Sequence, residues 1–194
     1  MPGMARVRES VTYEDLMRVP ENMVAEIIEG ELYASPRPGG PHARFASAIG
    51  MDVGSAYDRG RGGPGGWWIL FEPELHLRPD ILVPDLAGWH RERMPELPRD
   101  QVFLVPPDWV CEVLSPLTWR IDRAKKMPIY ARHGVTYAWL VEPVAQTVEV
   151  LKLADGKWRQ EAIFSGSDMM RAEPFEAVEI DLASIWGPPP QDPS

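Results

Sequence analysis

A glutamate stands inside an apolar segment of this chain, and whatever fold forms must compensate its charge. In WVCEVL, strand alternation places Val110, Glu112 and Leu114 on one face and Trp109, Cys111 and Val113 on the other. A carboxylate among such neighbours is costly unless it is paired, hydrogen-bonded or bound to a cation. A second acid, Asp85, closes the run ILVPD, where Ile81, Val83 and Asp85 are expected to share a face and Pro84 marks an edge, bulge or strand end. If the two strands are neighbours, the acids meet. Two unit charges about 4 Å apart repel by roughly 4 kcal/mol at an effective dielectric of 20, so the pair wants a cation or a shared proton. A hard divalent ion with oxygen ligands, Mg²⁺ or Mn²⁺, suits two carboxylates better than zinc does. The structural alternative for either residue alone is an acid that caps a helix or pairs with arginine.

The other local anomaly is LTWRIDRAKKMPIYARH, which carries Arg120, Arg123, Lys125, Lys126 and Arg132 against the single acid Asp122. The chain as a whole has 20 Lys+Arg against 29 Asp+Glu, a net charge of -9, so this stretch is a reversal of sign rather than part of a basic surface. Such a balance argues against non-specific coating of nucleic acid but leaves room for an enzyme with a local positive patch. By itself the stretch reads as a solvated helix face. Pro128 removes a helix hydrogen bond and predicts a kink or an end near Ala124 to Met127.

Around these features the chain reads as one domain over residues 11–186, with a flexible start (1–10) and a proline-rich disordered tail from Gly187 to Ser194. Thr12 caps a short helix to about Arg18, and Met23 to Leu32 forms a strand or hairpin around Glu29-Gly30-Glu31. A helix is expected from Pro41 to about Tyr57. Strands are expected at Trp67 to Leu70, Leu75 to Leu77, Ile81 to Asp85, Asp108 to Leu114 and Thr136 to Val141, with the basic helix, Leu117 to His133, before the last. A hairpin follows, its turn at Asp155-Gly156. The fold class is therefore mixed α/β, a sheet flanked by helices. With 44% hydrophobic residues, no membrane-length apolar run and a single cysteine, Cys111, the chain reads as a cytoplasmic globular protein without a disulfide or thiolate zinc site. Phosphate-cradling loops, nucleophile elbows and zincin motifs are missing from the sequence. His42, at the start of a candidate helix, is a base, a phosphate contact or simply a capping residue. His76, His90 and His133 lack ligand spacing, and Trp67-Trp68 reads as packing.

The ordered succession AEIIEGEL, GPHARF, ILVPDLAGW, PDWVCEVLSP, DRAKKMPIYARHGV and WLVEP before a hairpin resembles the Uma-type restriction-endonuclease family of the PD-(D/E)XK nuclease superfamily. The similarity runs from about Tyr13 to Ile163. It implies a restriction-endonuclease-like core with an added C-terminal β-hairpin, Mg²⁺ or Mn²⁺ as cofactor, DNA as partner and a homodimer. By that resemblance Pro84-Asp85 is the PD element, Glu112 the second acid and Glu26 the early glutamate of a metal site. The superfamily lysine two residues after the second acid is Leu114 here, and Lys126 matches the helix lysine that substitutes in this family, with Lys125 beside it. His42 matches a recurrent histidine of the first core helix. Arg120, Arg123 and Lys125 are the implied nucleic-acid contacts. Two other functions keep the same residues: a non-catalytic binding module on this fold, and a metal-independent hydrolase using Asp85 and Glu112 as an acid/base pair.

Overall fold

The structure is a computed structural model that describes residues 11–37 and 39–186; the expectations for 1–10 and 187–194 fall outside the described residues. Thr12 caps α1 (Tyr13–Met17) through a reciprocal capping box with Asp15. Strands β1 (Met23–Ile28) and β2 (Glu31–Pro36) pair antiparallel around Glu29 and Gly30, both at positive φ. The helix α2 (Gly40–Val53) runs on into a π-helical turn, Gly54–Asp58. Then come β3 (Trp67–Phe71), β4 (Glu74–Leu77), β5 (Asp80–Leu82), β6 (Leu86–His90), β7 (Val102–Phe103) and β8 (Trp109–Val113). The basic stretch follows as α3 (Trp119–Ile121), a π-helical turn (Asp122–Lys126) and α4 (Met127–Arg132). The chain closes with β9 (Tyr137–Glu142), the hairpin β10 (Thr147–Ala154) and β11 (Lys157–Ser165), the short pair β12 (Met169–Met170) and β13 (Ile180–Asp181), and α5 (Leu182–Trp186).

The strands divide between two mixed sheets. One has the order β2-β1-β5-β4-β7 and the other β11-β10-β9-β8-β6-β3, while β12 and β13 form a separate ladder. The larger sheet is covered on both faces, which is why its central strands are almost wholly apolar. On one face Trp109, Cys111, Val113, Trp139 and Val141 pack against α2 and an aromatic group centred on Phe175. On the other, Val110, Leu114 and Leu140 meet Leu75, Leu82, Ile129 and Tyr130. The alternation read from WVCEVL therefore holds, and it points Glu112 into the layer between the two sheets.

One expectation is corrected. The run ILVPD is not a single strand ending in Asp85. β5 stops at Leu82, Val83-Pro84-Asp85 crosses from one sheet to the other, and β6 begins at Leu86. Pro84 has no N–H to give a ladder, so the crossing falls where pairing would fail in any case. The consequence is that Asp85 lies at the junction, beside β8, because Leu86 pairs with Cys111.

Candidate functional site

A segment that leaves one sheet for another carries backbone groups that no ladder satisfies. Here side chains do it. The Val83 N–H donates to Glu26 Oε1 at 2.7 Å, and the Val83 carbonyl accepts from Lys126 Nζ at 3.3 Å. Asp85 in turn accepts from the Val113 N–H at 2.7 Å through Oδ2, and its Oδ1 lies 3.3 Å from His42 Nε2. The residues singled out in the sequence thus converge from β1, the sheet crossing, α2, β8 and the π-helical turn. They line a cleft of about 330 Å³.

Lys126 is the centre of charge. Its ammonium stands 2.8 Å from Glu112 Oε1, 3.0 Å from Glu26 Oε1 and 3.6 Å from Asp122 Oδ1, with its side chain only 3% exposed. Lys126 and Asp122 stand four residues apart, so both lie on the helix face that turns inward. The missing N–H of Pro128 leaves the helix free to widen, and the Met127 N–H donates five residues back, to the Asp122 carbonyl. Where a kink or an end was expected near Ala124 to Met127, the helix continues through this widened turn into α4. One turn further on, the Tyr130 hydroxyl donates to Glu112 Oε1 at 2.6 Å.

Burial and crowding set the protonation behaviour. Burial pushes the Glu112 carboxyl well above the usual range; Lys126 pulls it back, and Asp122, Asp85 and Glu26 push it up further. Asp122 is raised for the same first reason, with Lys126 opposing. For Lys126 burial works toward the neutral form, but Glu112 and Glu26 outweigh it and hold the ammonium charged, well above its ordinary value. His42 is raised because its hydrogen bond and charge contact with Asp85 overcome burial.

Asp122 and Tyr130 were missed by sequence reasoning as members of this group. Their signal was the i, i+4 spacing on either side of Lys126, which is meaningful only once Lys126 is known to point inward. Of the implied nucleic-acid contacts, Arg123 pairs with Glu149 at 2.8 Å and Lys125 with Glu29 at 3.0 Å, while Arg132 is held by Asp80 at 2.8 Å. The positive stretch is thus largely compensated within the protein. Arg120 instead lies over the exposed Trp119 ring, 5.1 Å from its centroid.

The chemistry of the donor set suits a hard divalent cation. Glu26, Asp85 and Glu112 offer only carboxylate oxygens, and with Asp122 they outnumber the one lysine among them. As they stand, no three His, Cys, Asp or Glu side chains among the described residues form a ligand shell, with the Lys126 ammonium between Glu26 and Glu112.

Comparison with known proteins agrees with this architecture. A solved structure, described as a "putative nuclease belonging to DUF820" from Anabaena variabilis ATCC 29413, superimposes with a TM-score of 0.73 over 91% of this chain and 97% of its own. At 23% sequence identity this likeness establishes a common fold. No curated protein is matched by the chain. No helix among the described residues is long and apolar enough to cross a membrane. The model of the Uma2 family, described as "Putative restriction endonuclease", matches residues 11–183. Over nearly all of its described length, then, the chain belongs to the Uma2 family.

Proposed function

We propose that the protein is a metal-dependent nuclease that hydrolyses phosphodiester bonds of DNA in this cleft. One observation carries the reading: Glu26, Asp85, Glu112 and Lys126, which lie far apart in sequence, meet in one cleft with little solvent exposure. Glu26, Asp85 and Glu112 would hold Mg²⁺ or Mn²⁺. Such a cation, when bound, supplies positive charge that offsets the phosphodiester and acidifies a neighbouring water. His42 keeps Asp85 oriented through its 3.3 Å contact. Lys126 orients the attacking water or donates to a non-bridging phosphate oxygen, where negative charge grows as the water oxygen bonds to phosphorus and the leaving P–O bond breaks, the water giving its proton to solvent and the departing sugar oxygen taking one up from it.

A second reading has its own support. Lys126 already neutralises part of the cluster from within, as a scaffold without a metal would require, and this favours a non-catalytic nucleic-acid-binding protein. Calorimetric titration with Mg²⁺ and Mn²⁺ at low salt, on the wild type and Glu112→Ala, separates the two. The nuclease reading expects binding that vanishes in the variant, together with divalent-dependent cleavage of plasmid DNA that Asp85→Ala abolishes. Wild-type protein that binds DNA but neither ion, and leaves the plasmid intact, favours the binding module.

A further inference from the structure

Among the described residues that line the cleft, Arg37 is the one arginine, and the one lysine, Lys126, is already engaged by carboxylates. Arg37 follows β2, and its Nη1 is paired with Glu72. Glu72 has an unusual setting. It follows β3 with φ +44°, the left-handed region that a residue with a Cβ enters only at a cost. Its N–H donates to the carbonyl of Asp85 at 3.1 Å, which ties this backbone to the sheet crossing. A strained non-glycine residue beside a candidate active-site acid, with its side chain on the cleft wall, calls for a functional explanation.

Charge supplies one. Glu72 is a further carboxylate in a lining that already holds Glu26, Asp85, Glu112 and Asp122. A phosphodiester approaching such a wall is repelled, and the guanidinium is the group whose fork matches phosphate oxygens. Arg37 is 55% exposed and Glu72 34%, so their pairing is of the partly solvated kind that contributes little stability and is readily exchanged. The pair also lies on the wall between this cleft and a neighbouring groove lined by Leu16, Met17 and Phe71, and beside Glu72 the Arg37 Nε donates to the Glu21 carbonyl across a long 3.4 Å.

We infer that Arg37 binds a backbone phosphate of the nucleic acid entering this cleft, and that Glu72 is a competing carboxylate that holds the guanidinium until the phosphate takes its place. The inference rests on the nucleic-acid reading given above, not on cleavage. The test is fluorescence anisotropy with a short labelled DNA duplex in the presence of a chelator, followed as potassium chloride is raised. Arg37→Ala is expected to weaken binding about tenfold and to flatten the log–log salt dependence by about one unit. Arg37→Lys restores the salt slope but not the full affinity. Glu72→Gln, which removes the competitor and keeps the shape, tightens binding several-fold. A merely structural pair moves both variants in the same direction, so weaker binding by Glu72→Gln overturns the inference, as does unchanged binding by Arg37→Ala. If the wild type binds no DNA, this inference and the nucleic-acid reading fall together. If the opposite shifts appear in a protein that neither cleaves nor binds Mg²⁺, the inference stands and the nuclease chemistry falls.

Discussion

Lys126→Met removes the one ammonium inside the acidic cluster while keeping a side chain of similar length. Its Nζ contacts two carboxylates at 2.8 and 3.0 Å and a third at 3.6 Å, so the variant leaves buried negative charge without a partner. Breaking a buried pair in this way costs roughly 3–5 kcal/mol. At about 2–4 °C per kcal/mol for a chain of this size, the melting temperature falls by roughly 6–20 °C. Acid should restore part of the loss. The Glu112 carboxyl is already raised by burial, and without Lys126 its folded value moves further above the unfolded one. For an acid shifted upward the folded state binds more protons, so stability declines as pH rises from the unfolded value toward the folded one and returns on acidification. A divalent ion should act in the same direction. At a hundredfold excess over its Kd it adds about 2.7 kcal/mol to a protein that binds it only when folded, and the variant should gain more than the wild type because the ion replaces the missing charge. The assay is differential scanning calorimetry of both proteins near neutral and at mildly acidic pH, with and without Mg²⁺. A melting temperature within about 2 °C of wild type at neutral pH would falsify the claim that Lys126 compensates the cluster. Equal Mg²⁺ responses in the two proteins would remove the claim that ion and ammonium answer the same charge.

Further consequences can be checked separately. Tyr130→Phe deletes the 2.6 Å hydrogen bond to Glu112 and should cost about 1.5–3 kcal/mol, read by urea unfolding; an unchanged midpoint would mean the bond contributes nothing. Asp80, 1% exposed, accepts from the Glu29 N–H at 2.7 Å and from Arg132 at 2.8 Å, so Asp80→Ala should destabilise by about 2–4 kcal/mol in the same assay, and a neutral result would refute its role in pinning the β1–β2 turn. Cys111 is fully buried, and burial raises its thiol well above the ordinary value. A thiol reagent should therefore label it only as fast as the protein opens, and immediate labelling of the native protein would contradict the packing of β8.

Local chemistry carried much of the fold. The Thr12 cap, the turn at Glu29-Gly30 and the hairpin turn at Asp155-Gly156, with φ +52° and +72°, depend on residues a few positions apart, and each formed where the sequence placed it. The alternation of WVCEVL was equally local, and it sufficed to put Glu112 on the opposite face from Cys111. It also marked the glutamate as a residue in need of a partner, though its contacts with Lys126 and Tyr130 came only from the tertiary structure.

What lay beyond the sequence was long-range pairing. ILVPD looked like one strand because a crossing between sheets has no local signature other than Pro84, and which sheet each half joins is decided by partners such as Ile27 and Cys111 that lie distant in the chain. The basic stretch looked like a surface because the acids that neutralise it, Glu149, Glu29 and Asp80, sit on other elements. Asp122 and Tyr130 lie four residues to either side of Lys126, so they joined the site once packing turned that face of the helix inward. The sequence alone determined that Glu112 enters an apolar interior, since that follows from the period of its strand, but it left the buried Lys126 and Asp122 looking like parts of a solvated helix face. Tertiary structure decided which of those charges face one another, because Coulombic and hydrogen-bond partners are set by distance in space.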